Sequence, residues 1–141
     1  MAVEQTLILA KPDAVRRSLA GEIVARFERR GLQLLAGRFV RASRELGEAH
    51  YAEHDGKPFF PSLVEFMTSG PIAPMVLEGD DAIAKVRGIM GATDPAKAAA
   101  GTIRKDFASS IEANAVHGSD SPQSAAFEIP YFFGAMEIFS R

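Results

Sequence analysis

Short apolar runs alternate with helical patterns along this chain, and no low-complexity linker or internal repeat divides it, so one domain over residues 1–141 is expected. Thr6 to Ala10 reads as a buried strand that Lys11, Pro12 and Asp13 end by turning the chain into a short helix. Ile23, Val24 and Phe27 share one helical face, stopped at Gly31. Gln33 to Val40 supplies a second strand, and Ser43 opens a polar helix through His50. Ser62 with Glu65 forms a capping box for a helix ending near Gly70, and Pro71 to Leu77 follows as a third strand. Asp80 caps a helix whose Ile83, Val86, Ile89 and Met90 face inward, closed by Gly91. Ala113 to Val116 is the fourth strand, and Ser121 with Pro122 marks an N-cap followed by proline at the first helical position. Gly91 to Ser110 repeats with neither period and reads as a long loop, a kind of segment that is usually functional or disordered. On periodicity alone this alternation suggests a parallel α/β sheet.

Composition narrows the class without deciding it. A chain of 141 residues, 47% hydrophobic and 24% charged, is a globular domain of ordinary size that buries a little under about 70% of its unfolded surface. It has no cysteine and needs no disulfide staples. No apolar run approaches the roughly 20 residues that cross a bilayer, and the N-terminus lacks a basic segment followed by an apolar stretch, which fits a cytoplasmic protein. A net charge of −2 weighs against a dedicated nucleic-acid binder, whose basic face would dominate the balance. Arg16, Arg17, Arg29 and Arg30 read as solvated helix surface, whereas Lys11, Arg87 and Arg104 remain candidates for holding a few phosphates.

Chemistry concentrates in Asn114 to Ser121, where the imidazole of His117 stands among small and polar residues on the connection between a strand and a helix. Neutral imidazole is a nucleophile at physiological pH, and Gly118 beside it removes a side chain where a bulky ligand could approach. A loop histidine bonded to a neighbouring carbonyl is the plainer reading. Arg87 precedes the long loop and Arg104 lies near its far end, where planar guanidiniums would grip a phosphate chain from opposite sides or simply lie in solvent. His50 and His54 spell H-x-x-E-H, the inverted zinc-protease pattern, but a third ligand is wanting and the glycine and proline after His54 cut the helix short. Neither G-x-x-x-x-G-K-[ST] nor G-x-G-x-x-G occurs, so charged side chains must cradle any phosphates.

The eight-residue stretch N-x-x-H-G-S-D-S resembles the active-site signature of the nucleoside diphosphate kinases, and similar family patterns follow in order along the chain: TLILAKPDAV, HYAEHDGKPFFPSLVEFMTSGP, VRGIMGATDP and GTIRKDF. The resemblance implies an α+β ferredoxin-like sandwich, with a four-stranded antiparallel sheet and helices packed on one face, in place of the parallel sheet. It implies transfer of the γ-phosphoryl group from a nucleoside triphosphate to a nucleoside diphosphate through phosphorylated His117, in ping-pong order, maintaining the nucleoside triphosphate pools. Glu128 would orient the imidazole with Ser119 assisting, and which ring nitrogen is phosphorylated cannot be read from sequence. Lys11, Arg87, Thr93 and Arg104 would contact phosphates and sugar, together with Asn114 and Gly118. Tyr51 and His54 would lie at the edge of the site near the phosphates. Phe59 would stack on the base with Ile111 opposite, where relatives often carry valine; stacking serves purines and pyrimidines alike. Mg²⁺ is the implied cofactor, held through nucleotide phosphates and water, with no metal ligand from protein side chains. A homotetramer or homohexamer is the implied assembly, with neither membrane nor dedicated nucleic-acid partner.

Overall fold

The computed structural model describes residues 3–139. Strand β1 (Val3–Ala10) lies inside a four-stranded sheet of order β2-β3-β1-β4, with β2 at Gln33–Gly37, β3 at Ala73–Asp80 and β4 at Val116–Gly118. Every pairing is antiparallel. Helices α1 (Pro12–Arg16) and α2 (Ala20–Arg29) connect β1 to β2, and α3 (Arg44–His50) and α4 (Phe60–Met67) lead to β3. α5 (Ala82–Met90) and α6 (Ile103–Phe107) precede β4, and α7 (Pro122–Phe132) follows it. This is the ferredoxin-like arrangement that the resemblance implies, and the parallel sheet suggested by periodicity is not formed.

The reason lies in β1. Ile8 and Ala10 enter a core with Ile23, Phe27, Met75, Leu77, Val86 and Met90, so α2 and α5 cover one face of the sheet. Leu7 and Leu9 point the other way, into a second core with Leu35, Met67, Val76 and Phe132. The second face is therefore covered as well, by residues of α4 and α7. A strand buried on both faces loses the alternation that marks an antiparallel strand with one wet side, and its run reads like that of a parallel one.

Several boundaries differ from expectation for local reasons. The second strand stops at Gly37, with a register shift between Leu34 and Ala36, and Val40 rejoins Ile72 only as an isolated bridge. Ser62 sits inside α4 instead of capping it; Pro61 occupies the first turn, and the Ser62 hydroxyl donates to Glu112 Oε2 at 2.7 Å. Asp80 ends β3, and α5 starts after Asp81 in the left-handed region (φ 50°), while the Glu4 carboxylate accepts the Ile83 N–H. The stretch 91–110 is not one loop: it holds a 3₁₀ turn at Pro95–Lys97 capped by Asp94, and α6 capped by Thr102. Elements of three and five residues are too short to display a period. Ser121 caps α7 as expected, accepting the Ser124 N–H.

The largest consequence concerns the fourth strand, which begins at Val116 instead of Ala113. Ala115 takes a left-handed conformation (φ 72°), unusual for a residue with a Cβ. Its N–H donates to Asp13 Oδ2 at 3.0 Å, and its carbonyl accepts the Lys11 N–H at 2.9 Å. Only beyond this turn can the chain pair with β1, where His117 stands opposite Leu9. His117 is thus in the sheet and not on the connection. Gly118 pairs with Ile8, and a Cβ there would lie 2.9 Å from Met90 Sδ and 3.0 Å from Val86 Cγ1. Its missing side chain admits α5, which is the reason for glycine at this position. Gly118→Ala should lower unfolding stability by about 1–3 kcal/mol, as overpacking does; chemical denaturation reads this, and an unchanged midpoint contradicts it.

Candidate active site

Where β1 ends and β4 begins, a cavity of about 790 Å³ opens beside His117, within the roughly 300–1,000 Å³ of small-molecule sites. Its walls bring together Lys11, Tyr51, His54, Phe59, Arg87, Thr93, Arg104, Ile111, Asn114, His117, Gly118 and Glu128. Of the expected site residues only Ser119 is behind the wall. It is fully buried and reaches the site by donating its hydroxyl to Glu128 Oε1 at 2.8 Å.

The same carboxylate oxygen meets His117 Nε2 at 3.1 Å. Glu128 therefore spans from α7 to β4 and holds one ring nitrogen of a side chain whose backbone the sheet already fixes. A carboxylate beside Nε2 stabilises the tautomer with the proton there, which leaves the lone pair on Nδ1. The ring is also packed edge-on against His50, with centroids 4.5 Å apart.

Cations crowd one side of the cavity. Lys11 is almost fully buried, and its ammonium donates to the Glu112 carbonyl and to Asn114 Oδ1, each at 2.9 Å. Burial lowers its pKa to about 8, with Asp13 opposing and Arg104 reinforcing the shift. Arg104 is buried too: Nη1 donates to the Gly91 carbonyl at 3.1 Å and Nη2 to the Val116 carbonyl at 2.8 Å, while Nε is sealed from solvent without a partner. Burial, and next the charge of Arg87, pull its pKa to about 10, so it remains charged at neutral pH. Arg87 and Thr93 are exposed at the cavity. Asn114 Nδ2 donates to the Thr93 carbonyl at 3.3 Å, which ties the segment after α5 to the turn before β4.

At the other side the walls become aromatic. Phe59 is 47% exposed and Ile111 59% exposed, so both keep apolar surface open to a flat ligand. The His54 ring lies 5.3 Å from that of Phe59, and Lys57 Nζ lies 5.7 Å above the Phe59 ring. Tyr51 is mostly buried, and burial raises its pKa, with Glu112 adding to the shift.

The zinc-protease pattern does not assemble. α3 ends at His50, a 3₁₀ turn carries Ala52–His54, and His54 packs on Phe59. His50 instead joins His117 and Glu128, with one donor atom from each within 4.8 Å of the others. Sequence reasoning missed this role for His50, along with Glu112 and Asp120, which also line the cavity. Asp120 lies within the N-x-x-H-G-S-D-S stretch, and a hydrogen bond from Ser124 lowers its pKa. No sequence signal links His50 or Glu112 to His117, since their partners are set by the fold.

The family described as nucleoside diphosphate kinase matches residues 4–138. Nucleoside diphosphate kinase from Halorhodospira halophila is 62% identical over 141 residues, and that from Nitrosospira multiformis 59% identical over 141 residues, with 100% of each chain covered. Among solved structures, the Aquifex aeolicus nucleoside diphosphate kinase superposes with a TM-score of 0.94 at 46% identity, over 97% of this chain and 99% of that one. The Halobacterium salinarum nucleoside diphosphate kinase in complex with CDP superposes with a TM-score of 0.96 at 46% identity, over 99% of this chain and 93% of that one.

Lys11 provides a test of the electrostatics. Its folded pKa of about 8 lies below the 10.5 of an ordinary lysine. Between those values the unfolded chain holds more protons, so this group makes folding more favourable as pH rises through the window. The stability of the protein relative to Lys11→Met should therefore increase from pH 7.5 to about 9.5 in denaturant unfolding; a difference independent of pH contradicts it.

Proposed function

The chain belongs to the nucleoside diphosphate kinase family, and we propose that His117 is the residue on which its phosphoryl group rests between one nucleotide and the next. The enzyme transfers the γ-phosphoryl group of a nucleoside triphosphate to a nucleoside diphosphate. The observation that carries the role of His117 is the hydrogen bond between its Nε2 and Glu128 at 3.1 Å, on a ring that lines the cavity. With Nε2 so held, Nδ1 is the nucleophile. Its lone pair forms an N–P bond to the γ-phosphorus as the bond from that phosphorus to the β–γ bridging oxygen breaks, and the diphosphate leaves. Glu128 stabilises the positive charge that the ring acquires. A terminal oxygen of the acceptor diphosphate then attacks the same phosphorus and the N–P bond breaks, which restores the imidazole. Donor product must leave before acceptor enters, so ping-pong kinetics follow.

Lys11, Arg87 and Arg104 offset charge on the phosphate oxygens in a partly enclosed site, where such interactions are strengthened, and Thr93 adds a hydroxyl donor. Lys11 and Asn114 also reach the ribose hydroxyls. Gly118 contributes through its backbone, Tyr51 and His54, on the wall that runs from His50 to Phe59, reach the phosphates from the base side, and Phe59 stacks on the base opposite Ile111. CDP in the Halobacterium salinarum relative supports a site open to pyrimidines, as stacking allows.

Magnesium favours oxygen ligands and retains several waters. The carboxylates here are Glu112, Asp120 and Glu128, and Glu128 is committed to His117 and Ser119. This donor set provides no protein cage and fits an ion that would arrive on the nucleotide, where it would offset phosphate charge. The chain functions as a single domain over residues 1–141 in the cytoplasm; among the described residues no helix is long and apolar enough to cross a membrane. Phe39, Phe127, Met136 and Phe139 stay largely exposed, which supports burial between copies in a homotetramer or homohexamer.

Incubation with γ-labelled ATP and Mg²⁺ without acceptor should leave an acid-labile, base-stable label on the protein. His117→Asn should take no label yet keep nucleotide binding, and Glu128→Gln should label more slowly by on the order of 10²-fold. A protein that binds nucleotide but never labels would be a non-catalytic binding module, and a fully active His117→Asn would remove the covalent route. Light scattering should return a mass of four or six chains; a monomer contradicts the assembly.

A further inference from the structure

The group around His117 has the make-up of a metal site for a different ion. One ring nitrogen of His50, one of His117 and one carboxylate oxygen of Glu128 lie within 4.8 Å of one another, all three partly shielded from solvent. His50 Nδ1 is sealed from solvent with no hydrogen-bond partner, an unmade interaction that is costly in a buried group. The His50 ring packs edge-on against that of His117, with centroids 4.5 Å apart. We propose that in the nucleotide-free protein His50, His117 and Glu128 bind one borderline divalent ion of the zinc class, and that this ion and the phosphoryl group exclude each other at His117.

Two imidazoles and one carboxylate are the ligand set of an open zinc site, with the fourth place left to water. Magnesium, which demands oxygen in octahedral array, is a poor occupant. Tetrahedral zinc with bonds near 2.0–2.1 Å sets its donors about 3.4 Å apart. His117 and Glu128 already stand at 3.1 Å, so the main adjustment is a side-chain rotation that brings His50 closer by roughly an ångström. Lys11 opposes the ion, but its ammonium is held by Asn114 and the Glu112 carbonyl. An ion bound through the free nitrogen of His117 takes the nucleophilic lone pair. One bound through the nitrogen facing Glu128 displaces its proton to solvent and removes the carboxylate from the charged ring. Each route blocks phosphorylation. The exclusion rests on His117 being the phosphorylated residue, whereas the binding does not.

Equilibrium dialysis of the nucleotide-free protein against chelator-buffered zinc should return one ion per chain. Binding should weaken at least about tenfold in His50→Gln and in Glu128→Gln, both checked for folding by circular dichroism, and stay unchanged in His54→Gln. Protein first phosphorylated from ATP and stripped of nucleotide should bind none at the same free zinc. No ion on the unmodified protein, or undiminished binding in both folded variants, overturns the site. Equal binding by phosphorylated and free protein overturns the exclusion alone. Zinc binding that needs His50 and Glu128 in a protein that never takes label supports the site and refutes the role of His117 in transfer.

Discussion

The contact between His117 Nε2 and Glu128 Oε1 joins the sheet to the last helix, and the chemistry of the site depends on it. In the proposed mechanism it sets which nitrogen carries the proton, on a ring whose backbone is already pinned opposite Leu9. That pinning depends in turn on the left-handed Ala115, whose N–H is held by Asp13 at the start of α1. Ser119, buried behind the wall, donates to the same carboxylate oxygen. The proposed nucleophile thus sits on a strand whose neighbours are locked by packing and hydrogen bonds, an arrangement suited to keeping a reacting group in place without reorganisation.

The phosphate side is built differently from sites that use a glycine-rich loop. Here the positive charge comes from side chains whose partners are backbone carbonyls and one amide: Arg104 on Gly91 and Val116, Lys11 on Glu112 and Asn114. These bonds position the cations without neutralising them, because a carbonyl carries no net charge to cancel theirs. Burial then acts against the charges, drawing Lys11 to about 8 and Arg104 to about 10. On the proposed mechanism an arriving polyphosphate would relieve that penalty, since a nearby negative charge favours the charged form of both groups. The buried, unpartnered Arg104 Nε belongs to the same account.

Much of the site was legible in the sequence because its residues fall in one dense motif and in a few patterns around it. The cap at Ser121 required only the serine and the proline after it, whereas the pairing of His117 with Glu128, eleven residues on, came from the family resemblance. Strand direction was not legible, since β1 is buried on both faces and carries no alternation. The start of β4 was hidden by Ala115, whose type gives no sign of a positive φ. Ser62 and Glu65 have the spacing of a capping box, yet Pro61 starts the helix earlier and the Ser62 hydroxyl bonds Glu112, 50 residues away in sequence. Gly118 was legible as a special position, and the structure adds a packing reason, the approach of Val86 and Met90. His50 carried a metal-ligand signal in the wrong company: its neighbour in space is His117, which no local pattern connects to it.

In the proposed mechanism the two nitrogens of the His117 ring divide the labour, one carrying the proton and the other the phosphoryl group. Nitrogen-15 labelling of histidine, with ³¹P–¹⁵N coupling measured on the phosphorylated protein, distinguishes them directly. Phosphorus coupled to Nδ1 of His117, with a proton retained on Nε2, is the predicted result; phosphorus on Nε2, or on any other residue, contradicts it.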